Sequence, residues 1–191
     1  YASRGLGDVY KRQDIRTSQG KVTGVVKERD EVHRNGDIHG TSHVWLIRKK
    51  QNKKFDILLQ KRASANDVYG GGYDISSAGH VSAGEDYIDT AIRELKEELG
   101  VEAKEEDLIF IGFLEGEMRT KFAGKPFINH EVSAVYIYEC DIDERDFVLQ
   151  QEEVEAVLWI DFDECKQKVW NGQIRNCIFQ DEFKMLEKVL K

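Results

Sequence analysis

One stretch of 23 residues, Gly79 to Val101, constrains this chain more than any other; it reads GHVSAGEDYIDTAIRELKEELGV. Ile88, Ala91, Ile92, Leu95 and Leu99 are spaced 3, 1, 3 and 4 apart and form a single apolar stripe on a helix. Asp86 suits an N-cap, and Gly100 stands where a left-handed residue closes a helix. A helix over Asp86–Leu99 therefore buries one side. Away from that stripe lie Glu94, Glu97 and Glu98, whose i, i+3 and i, i+4 relations bring their side chains together. Three adjacent carboxylates repel one another and raise each other's pKa unless a cation lies between them. An all-oxygen cluster of this kind suits hard ions, magnesium or manganese. Arg93, four residues before Glu97, is placed to hold a glutamate still. Gly79 and Gly84 bracket a loop whose backbone can approach a ligand closely. A solvated acidic helix face carries glutamates too, so the spacing around them has to decide.

Charge sharpens the point. The formal net charge of −8 excludes a global basic field for nucleic acid. An acidic chain that handles a polyanion needs metal ions or a local basic patch. Hydrophobic residues at 40% and charged residues at 34% fit a globular protein with a real core. No apolar run approaches the roughly 18 residues of a membrane span, and no signal sequence opens the chain, so the expected compartment is the cytoplasm. Cys140, Cys165 and Cys177 are odd in number and form no C-x-x-C pair; neither a disulfide frame nor a zinc knuckle is indicated.

Tyr1 to Gln13 shows no periodicity and resembles translated sequencing-adaptor read-through; it is expected to be loose, leaving 14–191 as one domain. Val44 to Arg48, the polar turn Gln51 to Lys54, and Phe55 to Gln60 predict a hairpin. Gly70 to Gly72 predicts a loop and Tyr73 to Ala78 a short strand. Further strands are predicted at Leu108–Glu117, Glu131–Tyr138 and Val154–Ile160. The second of these is apolar on both faces and so interior. Helices are predicted at Asp163–Val169 and Gln180–Leu190. Strands before and after one central helix point to a mixed α/β or α+β sandwich.

The spacing of the first segment is Gly79, five residues, Glu85, seven residues, Arg93-Glu94-Leu95, one residue, Glu97-Glu98, one residue, Gly100-Val101. This resembles the Nudix box at all nine specified positions. The resemblance implies an α/β/α sandwich with a mixed central sheet, and a pyrophosphohydrolase that cleaves a nucleoside diphosphate linked to another moiety. It places Glu94, Glu97 and Glu98 on metal-ligand positions, Gly79 on the glycine whose carbonyl binds metal, and Glu85 and Arg93 on supporting positions. Mg2+, or Mn2+ in its place, neutralises the diphosphate and makes a bound water more acidic. A glutamate then takes the proton, with Glu97 and Glu98 the favoured bases. Glu131 and Glu153 are candidates for a further acid from outside the box. A small phosphorylated substrate and a homodimer are also implied.

Similarity in pattern extends from about His33 to Trp159. HRNGDIHGTSHVWLI, then Ile57 to Arg62, then YDISSAGHVSAGE look like the branch related to isopentenyl-diphosphate isomerase. In that isomerase histidines bind a metal; His39, His80 and the acidic Glu131 fall on matching positions, and His33 lies one residue off a third. The isomerase needs a cysteine before the Gly-His of this motif as its acid/base at carbon. Ala78 stands there, and a methyl group transfers no proton, so hydrolysis is expected rather than isomerisation. A non-catalytic nucleotide-binding module is the other alternative, but such modules usually lose box glutamates. The lone proline, Pro126, leaves out the downstream proline of ADP-ribose hydrolases, and neither a coenzyme A nor an NADH-type signature is present. Lys61 and Arg62, with Arg119 and Lys121, are candidates to meet phosphates. Tyr73, with Tyr69, Trp45, Phe113 and Phe122, is a candidate to stack a base or ring.

Overall fold

The structure is a computed structural model that describes residues 11–51, 54–63, 69–122 and 124–190. The predicted hairpin is present: β3 (His39–Lys49) runs antiparallel to β4 (Phe55–Arg62) through the pairs Ile47–Ile57 to Lys49–Phe55. Asn52 and Lys53 of its turn lie outside the described residues. The strand expected over Tyr73–Ala78 is two. β5 (Tyr73–Asp74) pairs with β4, whereas β6 (Ser77–His80) pairs with β3 from Thr41 to Val44. Ser76 sits at the break. Its hydroxyl donates to the Leu58 carbonyl at 2.6 Å and accepts the Leu46 N–H at 2.8 Å. One side chain thus replaces the ladder bonds lost where β6 wedges in beside β4.

β7 (Leu108–Phe122) and β8 (Lys125–Glu139) form a hairpin that runs well past the expected ends at Glu117 and Glu131. β8 then pairs in parallel with β3, from His39–Glu131 to Ile47–Glu139. β9 (Val154–Asp161) lies antiparallel on β4. With one parallel pairing among antiparallel ones, the sheet is mixed, and β8 lies in its interior as predicted.

Strand alternation splits the core in two. Val44 and Leu46 of β3, with Val132, Ala134 and Tyr136 of β8, face α2 (Tyr87–Leu99). Trp45, Ile47, Val135 and Ile137 face the other way, against α3 (Phe162–Trp170) and α4 (Gln180–Val189). Helices on both faces of a mixed sheet make the expected α/β/α sandwich.

The sequence carried no signal for the first described elements, the hairpin of β1 (Arg12–Arg16) and β2 (Val22–Glu28) and the short α1 (Arg29–Asn35). β2 is largely exposed, so no alternation marks it, and α1 has two turns only. β1 takes in Arg12 and Gln13, the end of the stretch set aside above; residues 1–10 lie outside the described residues.

Candidate active site

α2 begins at Asp86, whose carboxylate accepts the Tyr87 N–H at 2.6 Å, and closes at Gly100 in the left-handed conformation, φ 69°. The Val101 N–H reaches back to the Leu95 carbonyl at 3.0 Å, which completes the C-terminal cap. Ala91, Leu95 and Leu99 are fully buried, with Ile88 and Ile92 packed at the margin. This anchored stripe fixes where the glutamates point.

Those glutamates do not share one solvent face. Glu98 turns inward onto β6 and is 4% exposed. Its carboxylate accepts from the Ser77 hydroxyl at 2.7 Å and from the Ala78 N–H at 3.2 Å. Burial, with the nearby charges of Glu94 and Glu153, pushes its pKa up to about 8. Glu94 lies against Gly79: a Cβ added there would sit 2.1 Å from the Glu94 carboxylate oxygen. Burial first, then Glu97 and Glu153, raise Glu94 as well, against the pull of Arg93. Glu97 is the exposed member at the rim. Arg93 ties the group together. It grips Glu85 with two bonds of 3.0 and 3.2 Å and reaches Glu94 at 2.7 Å and Glu97 at 3.1 Å. Burial pushes the Glu85 carboxyl up, but bonds from Arg93 and the Ser82 N–H outweigh this and hold it low. Glu94, Glu97, Glu98, Gly79 and Glu153 all line one cavity of about 360 Å³. Carboxylates that raise one another's pKa inside a cavity are a donor set that a divalent cation would relieve, so the residues present fit magnesium.

The same cavity reaches a second group. His33 from α1, His39 from β3 and His80 from β6 bring ligand atoms within 4.8 Å of one another. Burial is the main cause that lowers all three pKa values, to about 4 for His33 and about 3 for His39, so each ring is neutral at physiological pH. His33 and His39 direct Nδ1 to the carbonyls of Arg29 and Asp37 at 2.9 and 3.1 Å, which leaves Nε2 with its lone pair. His80 differs: its Nδ1 accepts from Arg29 at 3.1 Å, which puts the ring proton on Nε2. The Nε2 atoms of all three are buried without a partner. The trio fits a transition-metal ion once Arg29 releases His80.

Glu131 lies deeper, 5% exposed. It accepts from Asn129 at 2.7 Å, and His43 Nε2 lies 3.6 Å away. Burial raises its pKa against the pull of His43. His43 is a residue the sequence reading missed. Its Nδ1 meets the fully buried Glu182 of α4 at 2.8 Å, and Trp45 Nε1 donates to the other oxygen of Glu182 at 2.6 Å. Burial works against charge on His43, yet Glu182 and Glu131 together lift its pKa to about 9. The one available signal was the alternation His39-x-Thr41-x-His43, which sets three polar residues on one face of β3.

The other expected contacts separate. Arg62 lines the cavity and pairs with Asp74 at 2.7 Å; Tyr69 lines it too. Lys61 instead pairs with Glu155 at 2.6 Å on the surface, since alternation along β4 sends it to the opposite face from Arg62. Tyr73 packs against the α3/α4 core, Trp45 is buried there, and Phe113 lies exposed beside Phe110 and Tyr87. Arg119 pairs with Glu117 on β7, and Lys121 is exposed there. None of these six, Lys61 included, lines the cavity. The Phe122 side chain lies outside the described residues.

The chain matches the family model of the NUDIX domain over residues 38–179. It is 42% identical over 155 residues to Nudix hydrolase 3 of Arabidopsis thaliana, covering 79% of this chain and 19% of that protein. A shorter match, 33% identical over 81 residues, is to an isopentenyl-diphosphate Delta-isomerase of Pectobacterium atrosepticum and covers 42% of each. The chain thus spans less than half the length of either relative. In structure it is similar to a Deinococcus radiodurans protein, with a TM-score of 0.64 at 16% identity, covering 93% of this chain and 98% of that one. A matched domain that runs from β3 through the whole box helix and β9 to α3, and stops just before α4, shows that the chain belongs to the Nudix family.

Proposed function

We propose that this chain is a magnesium-dependent hydrolase of a diphosphate bond in a nucleoside diphosphate-linked substrate. The observation that carries this reading is the gathering of Glu94, Glu97, Glu98 and the Gly79 backbone on one cavity wall, braced by Arg93. Glu94, Glu97 and Glu98 would hold magnesium, which when bound would neutralise the diphosphate and ease deprotonation of water. Glu97 or Glu98 takes the proton of the attacking water. The water oxygen bonds to one phosphorus while the bridging oxygen leaves on the other phosphate. Arg93 and Glu85 keep the carboxylates in place. Arg62 at the cavity wall meets the phosphates, and Glu131 and Glu153 are further acids beside the box.

The trio of His33, His39 and His80, with His39 and His80 on positions similar to those of the isomerase branch, is proposed as a second metal site. Isomerase chemistry is disfavoured by Ala78, whose methyl group lies at the cavity with no proton to give. A phosphate-release assay with magnesium across a nucleotide panel tests the reading. Turnover is expected in the panel and none with EDTA, and Glu97→Gln is expected to lower kcat at least about 10²-fold. Full turnover without metal contradicts the mechanism; a Glu97→Gln enzyme at the wild-type rate removes Glu97 from it.

A further inference from the structure

A chain of buried polar groups runs beneath the cavity, apart from the box glutamates. Trp45 Nε1 and His43 Nδ1 grip the two oxygens of Glu182 at 2.6 and 2.8 Å. With Nδ1 held, the His43 ring has one orientation, and Nε2 points to Glu131 Oε1 at 3.6 Å. Asn129 donates to the other Glu131 oxygen at 2.7 Å. His43, Glu131 and Glu182 all line the cavity, and Glu182 is fully buried. A carboxylate with no solvent around it needs a partner, and Glu182 has two. That makes Glu182 a fixed clamp rather than a group free to meet substrate.

We propose that His43 is a positioning residue: clamped by Glu182, its ring holds the Glu131 carboxylate at the cavity floor in one orientation. The Glu131 backbone is fixed in the middle of β8, but its side chain would otherwise sample several rotamers, and an acid that assists chemistry acts only when placed within a fraction of an ångström. The geometry is two-sided, with His43 at 3.6 Å and the Ser133 hydroxyl at 3.5 Å on one oxygen of Glu131 and Asn129 on the other. Thr41 and Ser133, two residues along β3 from His43 and along β8 from Glu131, share a 2.7 Å hydroxyl contact that closes the row between His39 and His43. The role of Glu131 in turnover rests on the hydrolase reading above; the contact itself does not.

Two experiments decide it. Long-range 15N–1H spectra of the histidine rings are compared between the wild-type protein and Glu131→Gln. The His43 Nε2 resonance is expected to move while Nδ1, held by Glu182, stays. An unmoved Nε2 resonance overturns the proposal. In turnover, His43→Gln is expected to lower kcat about tenfold or more with KM within about threefold, and adding Glu131→Gln is expected to lower kcat no further. Independent, additive losses overturn it. Removing the partner of a buried glutamate can also unfold the chain, and the spectrum of Glu131→Gln then decides alone. If the wild-type protein turns over nothing in the panel, the hydrolase reading fails and the spectrum still tests the contact.

Discussion

Gly79 is glycine because of Glu94. No positive φ requires it; the constraint is space, since a methyl group would meet Glu94 Oε1, Cδ and Cγ at 2.1 to 2.2 Å. The atoms in the way belong to a side chain that can swing, so the fold accommodates alanine by moving the carboxylate. Gly79→Ala is therefore expected to cost activity more than stability. A displacement of about 1 Å at a positioned group costs up to about 10²-fold in rate. The check is kcat beside a melting curve: a Gly79→Ala protein with unchanged kcat contradicts the placement of Glu94 in the mechanism. Arg93 shows the same economy in the opposite sense. One guanidinium touches three carboxylates, so its geometry fixes Glu85, Glu94 and Glu97 at once.

At the scale of the element, α2 joins two requirements on one cylinder. Its apolar stripe must pack on β3 and β8, and its glutamates must reach β6 and the cavity. Leu95 lies at the centre of the stripe and is fully buried. Leu95→Ala is expected to destabilise the chain by about 2–5 kcal/mol, through lost burial and the cavity left behind. For a chain of this length that lowers Tm by roughly 5–15 °C. Differential scanning calorimetry reads it, and a shift below about 2 °C would mean that the helix is not anchored through this residue. β3 is the other organising element. Its odd-numbered positions carry His39, Thr41 and His43 and then Trp45 and Ile47, so one strand face changes from polar site to apolar core along its length.

Across the whole molecule, the proposed magnesium site sets protons against the metal for the same carboxylates. A raised pKa means that the folded state favours protonated Glu98. Its contribution to stability is fully present below the unfolded value of 4.5 and is lost as pH rises through about 8. The histidine trio works the other way. Its pKa values are lowered on folding, so that contribution is present above about 6.5 and is lost as pH falls toward 4 and 3. Absolute stability therefore mixes opposing terms, but the gain in Tm on adding magnesium isolates the carboxylates. Magnesium binds the ionised form and must displace the proton. The gain is expected to grow from pH 6 to about 8 and then level off. A gain independent of pH over that range contradicts a role for Glu98 as ligand. Among the described residues no helix is long and apolar enough to cross a membrane.

The sequence by itself determined the box helix, its caps and its buried stripe, because helical periodicity couples only residues three or four apart. It determined the interior character of β8 in the same way, since an apolar run on both faces is a local pattern. Glu98 stands seven residues after Ala91 and three after Leu95, so the helical period already turns it toward the buried stripe and Glu97 away from it; what buries its carboxylate, Ser77 and the Ala78 N–H of β6, comes from another element. Only the tertiary structure brought His33, His39 and His80 together from a helix and two strands, or set His43 against Glu182, 139 residues away. Those meetings depend on the register of β3 against β6 and β8 and on where α4 docks. Register is a property of paired strands, and no single stretch of chain contains it.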